Sequence, residues 1–522
     1  MQSPMASDLT GPARAVVWSV AGSDCGAGAG LQADLRAIDA FELHACTVVS
    51  ALTAQNSVAV QRIEAVDSAV LDAQLAALAD DMPPAAIKVG MLGSVENLRV
   101  LVRWLDRLRA QQPQLAVVVD PVLRASTGAA FADTALMHAY RTELLPRASL
   151  ITPNRSEAAA LLGCAPLHNR AAVEHAAAAL LTLGCQAVVI TGGDEAGNSS
   201  EDYLATPEAS GWLSLPRVST PHHHGTGCVF AASAAAALAR GFVAVEAVIL
   251  AKMATTQALR HGYAAGRGAG PVRPRAGFAL HSDNLPAFSI PGQREGMRFA
   301  PLIDPKLDLY AVVDSAAWVQ RVLDAGVRTV QLRIKDPNHP ALRQEVHDSI
   351  AAARAAGAQL FINDHWKLAI EAGAYGVHLG QEDLATADLD AIARAGLRLG
   401  LSTHSYWEVC RTWSLQPSYI ACGPIHATQA KAMPWLPQGP DNLAYWCTLL
   451  PLPVVAIAGM DEPRATQAMA CGAAGVAVIS AITGAASPEG QIARLQQAVQ
   501  AGRLLPRIAP PELPRTTLQR TY

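Results

Sequence analysis

Residues able to do chemistry collect at the ends of apolar runs in the C-terminal half of this chain. Between residues 309 and 480, eight runs of about strand length end at Val313, Lys335, Asp364, Gln381, Thr403, Pro424, Gly459 and Ser480. Five of these ends read Gln331-Leu-Arg-Ile-Lys335, Asn363-Asp364, Gln381-Glu-Asp383, Ser402-Thr-His404 and Gly423-Pro424. Asp364 and Asp383 end consecutive runs and can share one Mg²⁺ that keeps several waters. Arg333, Lys335 and Lys431 can neutralise phosphate oxygens, and Ser402 offers a further hydrogen bond. Such a set suits a reaction that expels a highly charged group, which needs a metal ion on carboxylates together with cationic donors. Any one of these residues alone reads equally well as a helix cap or a solvated rim charge. Two aspartates, two lysines and a serine on one rim argue for chemistry.

The N-terminal half carries two glycine-rich segments. Ala21-Gly-Ser-Asp-Cys-Gly-Ala-Gly-Ala-Gly30 follows a strand pattern and leads into a helix with Gln32, Ala33 and Asp34. Glycine there lets backbone approach a ligand, although the segment lacks the lysine of a Walker loop. His224-Gly-Thr-Gly-Cys228 opens an apolar helix over 229–239. Free amides at a helix start favour negative charge developing on a transferred phosphoryl group. Cys228 in that first turn is expected to have a lowered thiol pKa; the plainer reading is a small buried residue. His222, His223 and His224 suggest a metal site, but adjacent side chains point in different directions.

These residues need a scaffold. Eight strand–helix repeats predict a (β/α)₈ barrel, whose active site gathers at the C-terminal strand ends. From 15 to about 265, apolar β-rich runs such as Ala15–Ala21, Ala86–Met91 and Leu115–Val122 alternate with alanine-rich helical stretches. That alternation predicts an α/β/α sandwich on a mostly parallel sheet. Residues 1–14 read as a polar tail. Glycine and proline mark 266–305 as a linker, the barrel occupies 306–500, and Pro506, Pro510, Pro511 and Pro514 predict an extended tail.

Composition narrows the function classes. A chain of 522 residues is long enough for two cores. A net charge of -4 gives no reason to expect nucleic acid or an acidic membrane surface as partner. Nine scattered cysteines without CxxC fit a reduced cytoplasm. The most apolar stretch, 228–258, is broken by Arg240, Glu246 and Lys252, which predicts helices and no membrane span. Small-molecule substrates are the expected partners, and a homo-oligomer is left open.

In the N-terminal half, Gly22-Ser-Asp, Gly28-Ala-Gly-Leu-Gln-Ala-Asp34, Thr53-Ala-Gln-Asn56, Lys88-Val-Gly-Met-Leu92, Asp120-Pro-Val122, Thr152-Pro-Asn154 with Glu157, and His224-Gly-Thr-Gly-Cys228 occur in order. This set resembles the hydroxymethylpyrimidine/phosphomethylpyrimidine kinases of the ribokinase-like fold. The resemblance implies that Gly22, Asp34, Gln55, Met91 and Val122 surround an aminopyrimidine. It implies further that Cys228 is the activating residue, that Gly225 and Gly227 form the anion hole, and that Asn154 and Glu157 serve ATP and Mg²⁺. Thr191 and Ser126 stand where relatives carry lysine, Asp194 where they carry histidine, and Cys25 where proline is usual.

In the C-terminal half, the ordered strand ends, with Gly376-Val-His-Leu-Gly380, Ala427-Thr-Gln-Ala-Lys431, Ala456-Ile-Ala-Gly459 and Val478-Ile-Ser480, resemble thiamine-phosphate synthases. By that resemblance Gln331, Leu332, Arg333, Ile334, Lys335, Asn363, Ser402 and Lys431 bind a pyrimidine diphosphate, with Lys335 and Lys431 assisting its ionisation. Asp364 and Asp383 hold Mg²⁺. Thr428, Gly459, Ile479 and Ser480 hold a thiazole phosphate, and Gln429 and Ala430 belong to the same substrate-binding segment. Ala430 replaces a usual hydroxyl residue, and Ala458 the first of two usual glycines. Together the halves imply a bifunctional transferase of thiamine biosynthesis. The alternative, one catalytic half beside a binding or regulatory module, is opposed by the presence of Lys335, Asp364, Asp383 and Lys431.

Overall fold

The computed structural model describes residues 14–123, 133–193, 195, 197–290, 299–427 and 435–519. The chain divides into two compact units, one running to Pro286 and the other from Ala287 to Gln519.

The first unit contains β1 (Val16–Asp24), β2 (His44–Gln55), β3 (Val60–Ala65), β4 (Ala86–Val89), β5 (Ala116–Val119), β6 (Leu150–Ile151), β7 (Val188–Ile190), β8 (Ser199–Ala205) and β9 (Ser210–Pro216). Its sheet runs β9-β8-β7-β6-β5-β4-β1-β2-β3. Strands β2, β1, β4, β5, β6 and β7 pair parallel with one another, whereas β3 pairs antiparallel with β2, β8 with β7 and β9 with β8. Short β-branched strands such as Ala116-Val-Val-Val119 are buried throughout, as expected where helices cover both faces. The helix Val95–Gln111 presents Leu98, Leu101, Leu105 and Leu108 to the core and is capped by Ser94, which accepts from the Asn97 amide. The helix Thr226–Ala239 is buried from Val229 to Leu238; its alanines admit neighbours on every side, among them the helices Gly30–Asp39 and Ala244–Arg260. The strand order reverses between β1 and β4. Open α/β sheets bind ligands at such a switch, beyond the carboxyl ends of the strands.

Glycine and proline content predicts a linker over 266–305, yet much of its first part is structured. Val272, Phe278, Ala279 and Leu285 are buried. The Phe278 ring lies 4.8 Å from that of Phe41, and Arg260 donates to Asn284 Oδ1 at 2.7 Å. The few apolar residues in this irregular stretch are enough to bind it to the first unit.

The second unit opens with β10 (Ala287–Ser289) and then forms β11 (Asp308–Val313), β12 (Thr329–Leu332), β13 (Gln359–Asn363), β14 (Gly376–Leu379), β15 (Arg398–Thr403), β16 (Tyr419–Cys422), β17 (Val454–Ile457) and β18 (Gly475–Val478). Strands β11 to β18 close into an all-parallel barrel, β18 returning to pair with β11. Tyr310, Val312, Phe361, Tyr419, Ala421, Val455 and Ala477 pack together as a buried cluster. The expected extended tail is instead docked: Leu513 and Thr517 are buried, and the Leu436 amide donates to the Thr517 carbonyl at 2.9 Å. Arg515 and Asn442 exchange hydrogen bonds, so backbone groups that water would otherwise satisfy are paired. Among the described residues, no helix is long and apolar enough to cross a membrane.

Candidate functional sites

At the carboxyl ends of β1, β4 and β5 lies a buried charged cluster. Lys88 donates to Asp34 Oδ2 at 2.9 Å and stands 3.9 Å from Asp120, while Ser19 donates to the same Asp34 oxygen at 2.5 Å. Burial alone would strip the Lys88 proton; Asp34, Cys228 and Asp120 reverse this and hold the lysine cationic. Burial raises the Asp34 carboxyl in spite of Lys88 and Ser19. Burial likewise lifts Asp120 to about 6, against the pull of Lys88. Asp34 Oδ1 is buried and has no hydrogen-bond partner among the described residues.

Cys228 stands in the first turn of the helix Thr226–Ala239, as the sequence predicts, but its thiol is not activated in the expected direction. Burial pushes it up to about 12; Lys88 pulls it down, while Asp34 and Asp120 push it up again. Desolvation, with two neighbouring carboxylates, outweighs the helix start. Gly225 precedes that helix with φ +83°, and a Cβ on it would lie 2.1 Å from the Gly28 carbonyl. Only glycine lets the two glycine-rich segments meet there. Gly227 lies in the first turn and is exposed.

Asp24 organises the first glycine-rich loop. Its Oδ1 accepts from Gly26, and its Oδ2 from Gly28 and Ala29. His224 Nε2 lies 3.4 Å from Asp24 Oδ2 and 3.2 Å from the Gln55 amide nitrogen. Burial opposes ionisation of Asp24, but His224 and the three amides hold its carboxyl below the usual range. His222 instead accepts from the Gly270 amide. Gly22 packs on Met91, whose side chain is buried, and Val122 is half-buried just past Asp120. Asn154 and Glu157 form a capping box for the helix Arg155–Leu162, Asn154 accepting from the Glu157 amide and Glu157 from the Asn154 amide. These two residues have a structural task in addition to the one implied by resemblance.

In the second unit the expected rim assembles at the carboxyl ends of the barrel strands. Asp364 follows β13 with φ +62°, and its carboxyl neighbours that of Asp383. Burial and the Asp383 charge raise Asp364 to about 6, while Arg333 draws it down. Asp383 Oδ2 also accepts from the Gly380 amide at 2.9 Å, which fixes the turn after β14. Gln331 and Asn363 are buried, Arg333 and Ser402 half-buried, and Lys335 exposed. Leu332 and Ile334 are buried. Ala458 and Gly459 both have positive φ, +80° and +67°. Ile479 and Ser480 start the short helix after β18, Ile479 partly exposed. Thr428, Gln429, Ala430 and Lys431 lie outside the described residues, as do Ser126 and Asp194.

Sequence reasoning misses several members of these sites. Lys88, Asp120 and Asp24 occur in the motifs without a role attached; a lysine inside the buried four-residue strand Ala86–Val89 is a signal in itself. His378 is missed as well. Its Nε2 lies 2.8 Å from Ser402 Oγ and its Nδ1 2.7 Å from Tyr419 Oη. Burial, Arg333 and His404 lower its pKa to about 3, so the ring is neutral near neutral pH.

Residues 24–273 match the family described as Phosphomethylpyrimidine kinase, and residues 302–482 that described as Thiamine monophosphate synthase. A probable thiamine biosynthetic bifunctional enzyme, chloroplastic, from Oryza sativa subsp. japonica is 34% identical over 483 residues, 89% of this chain and 85% of the rice protein. A thiamine-phosphate synthase from Neisseria meningitidis serogroup A is 52% identical over 201 residues, covering 38% of this chain and 98% of that protein. Among solved structures, a phosphomethylpyrimidine kinase from Clostridium difficile 630 is 30% identical, covering 47% of this chain and 100% of that one, with a TM-score of 0.41.

Proposed function

The chain belongs to the bifunctional thiamine-biosynthetic enzymes that join a phosphomethylpyrimidine kinase to a thiamine-phosphate synthase, and from that membership we propose how its residues divide the work. The first unit uses ATP to phosphorylate 4-amino-5-hydroxymethyl-2-methylpyrimidine and then its monophosphate. Gly22, Asp34, Gln55, Met91 and Val122 hold the pyrimidine. The unpartnered Asp34 Oδ1 supports this, since a buried acceptor without a donor is costly unless a ligand N–H or O–H fills the role. The minority thiolate form of Cys228 takes the hydroxymethyl proton, becoming the thiol, as that oxygen attacks phosphorus. The amides of Gly225 and Gly227, at the start of a helix, favour the charge that develops on the phosphoryl oxygens. Asn154 and Glu157 shape the nucleotide side through the loop they cap.

The second unit joins the resulting pyrimidine diphosphate to thiazole phosphate, giving thiamine phosphate and pyrophosphate. Gln331 to Lys335, Asn363, Ser402 and Lys431 bind the diphosphate. Thr428, Gly459, Ile479 and Ser480 bind the thiazole phosphate. The observation that carries this reading is the Asp364–Asp383 pair. Two neighbouring carboxyls, one of them raised by burial and by the other's charge, form a place where a cation relieves repulsion. Two carboxylates suit Mg²⁺, which keeps several waters and is completed by substrate phosphate oxygens. When bound, the ion supplies positive charge to the departing pyrophosphate. Arg333 and Lys335 add cationic donors, and His378 holds Ser402 from behind.

The test supplies purified full-length protein with hydroxymethylpyrimidine, thiazole phosphate, ATP and Mg²⁺. Thiamine phosphate should form and should disappear when any one component is omitted. Formation from hydroxymethylpyrimidine diphosphate, but not from the free alcohol, would leave only the second unit active.

A further inference from the structure

The first unit contains a second buried ion pair, away from the Lys88 cluster. Lys252, on the helix Ala244–Arg260, donates to Asp202 Oδ2 at 2.7 Å, and both side chains are closed to solvent. Asp202 stands on β8, and its other oxygen, Oδ1, accepts from the Gly192 amide at 3.0 Å. Gly192 lies two residues past β7. A Cβ on it would lie 2.2 Å from the Glu201 carbonyl oxygen, so the turn runs against β8 at a distance that needs glycine. From the other side, Arg217 donates to the Gly193 carbonyl at 2.6 Å and to the carbonyls of Gly197 and Ser199. The turn is therefore anchored at the Gly192 amide and at the Gly193 carbonyl. Between these anchors lies the Gly193 amide, which has no acceptor among the described residues. Gly193 is exposed, and a Cβ on it would meet nothing within 4 Å.

Sheet order gives this turn a ligand. The residues assigned to the pyrimidine include Gly22 on β1, Gln55 at the end of β2 and Met91 just past β4. In-line transfer puts the attacking and leaving oxygens on opposite sides of phosphorus. With the pyrimidine over β4, β1 and β2, the nucleotide extends the other way, over β5, β6 and β7. The turn after β7 is also joined to the loop after β6. Thr191 and Asn154 pair in a parallel bridge, and the Thr191 amide donates to the Pro153 carbonyl at 2.9 Å. A nucleoside triphosphate is rich in acceptors, and an exposed amide between two fixed peptide groups suits it.

We propose that Asp202, held by Lys252, is a positioning residue for ATP: by taking the Gly192 amide it sets the turn so that the Gly193 amide faces the nucleotide. This rests on the reading that the nucleotide lies beside Asn154, and the test separates the two ideas. With full-length protein, KM for ATP and KM for hydroxymethylpyrimidine are measured for Lys252→Met/Asp202→Asn and Lys252→Met/Asp202→Leu. Both double variants remove the ion pair without stranding a charge, but only asparagine keeps an oxygen for the Gly192 amide. KM for ATP should be roughly tenfold higher with leucine than with asparagine, the loss expected when a buried amide is left unpaired. KM for the pyrimidine should be the same in both. Gly192→Ala keeps the pair but drives a Cβ at Glu201; it should raise KM for ATP alone, and it replaces the leucine variant should thermal unfolding show that one to be misfolded. Asn154→Ala completes the set. A raised KM for ATP in Asn154→Ala, with equal values in the two double variants, would overturn the positioning role alone. Wild-type KM for ATP in every variant would place the nucleotide elsewhere and overturn the reading beneath it.

Discussion

Lys88 and Asp34 face each other at 2.9 Å with both side chains closed to solvent. A pair so buried stabilises little relative to apolar residues of the same shape, but removing one partner strands the other charge. Lys88→Met should therefore destabilise the first unit by about 3–5 kcal/mol, and adding Asp34→Asn should recover a large part of that loss. Denaturant titration following the first unit's transition checks this. A loss under about 1 kcal/mol would mean that Asp34 is protonated when Lys88 is absent at little cost.

The Asp364–Asp383 contact yields a pH-dependent prediction. Asp364 sits at about 6 in the folded chain against 3.8 for an ordinary aspartate. A raised folded pKa contributes stability that is fully present below the ordinary value and is lost as pH rises through the folded one. Without Mg²⁺, Asp364→Asn should stabilise the second unit above pH 6 by on the order of 2 kcal/mol, and the gap should close below about pH 4. Mg²⁺ should reverse the order at pH 8, raising the thermal midpoint of the wild type and leaving that of the variant almost unmoved. Equal responses to Mg²⁺ would place the ion elsewhere.

The barrel and its rim are legible in the sequence because strand periodicity and strand-end polarity are local properties. The runs ending at Val313 and Thr403 stop where β11 and β15 stop, and Asp364 lies one residue past β13. What stays hidden depends on partners distant in the chain. Lys88 is 54 residues from Asp34, and Tyr419 is 109 from Tyr310. The Cys228 shift has the opposite sign to the expected one because burial, and after it two carboxylates from other elements, disfavour the thiolate, which a helix-start argument does not contain. The burial of Val272, Phe278 and Leu513 escapes a reading by composition because proline and glycine report the lack of regular structure, not the lack of packing.

Ala458 carries a glycine's backbone without being glycine, with φ +80°. A left-handed backbone costs an L-residue roughly 1–2 kcal/mol, while glycine's extra freedom in the unfolded chain returns about 0.5–1 kcal/mol. Ala458→Gly should therefore stabilise the barrel by about 0.5–1 kcal/mol. Ala458→Val should destabilise it by more than that, because a β-branched side chain tolerates positive φ less well. Parallel urea titrations of the two variants decide the matter. A loss of stability in Ala458→Gly would show that the strain is relieved by contacts of the Ala458 methyl.

Cys228 gives the sharpest test of the kinase chemistry. Its thiol is held at about 12, so only a small fraction is thiolate near neutral pH. If Cys228 receives the hydroxymethyl proton, the reactive form is that minority thiolate, which grows about tenfold per pH unit well below its pKa. The rate of pyrimidine phosphorylation, as kcat/KM, should then climb between pH 7 and 9. Cys228→Ser should lower turnover by about 10²–10³ with little effect on pyrimidine affinity, because the hydroxyl keeps the shape but ionises far less readily. Dividing wild-type by variant rates at each pH cancels the ionisations of ATP and of groups common to both proteins. The quotient should rise with pH. A flat quotient near unity would return Cys228 to a packing role and leave the proton to Asp120, whose own raised carboxyl stands beside Lys88 in the same cluster.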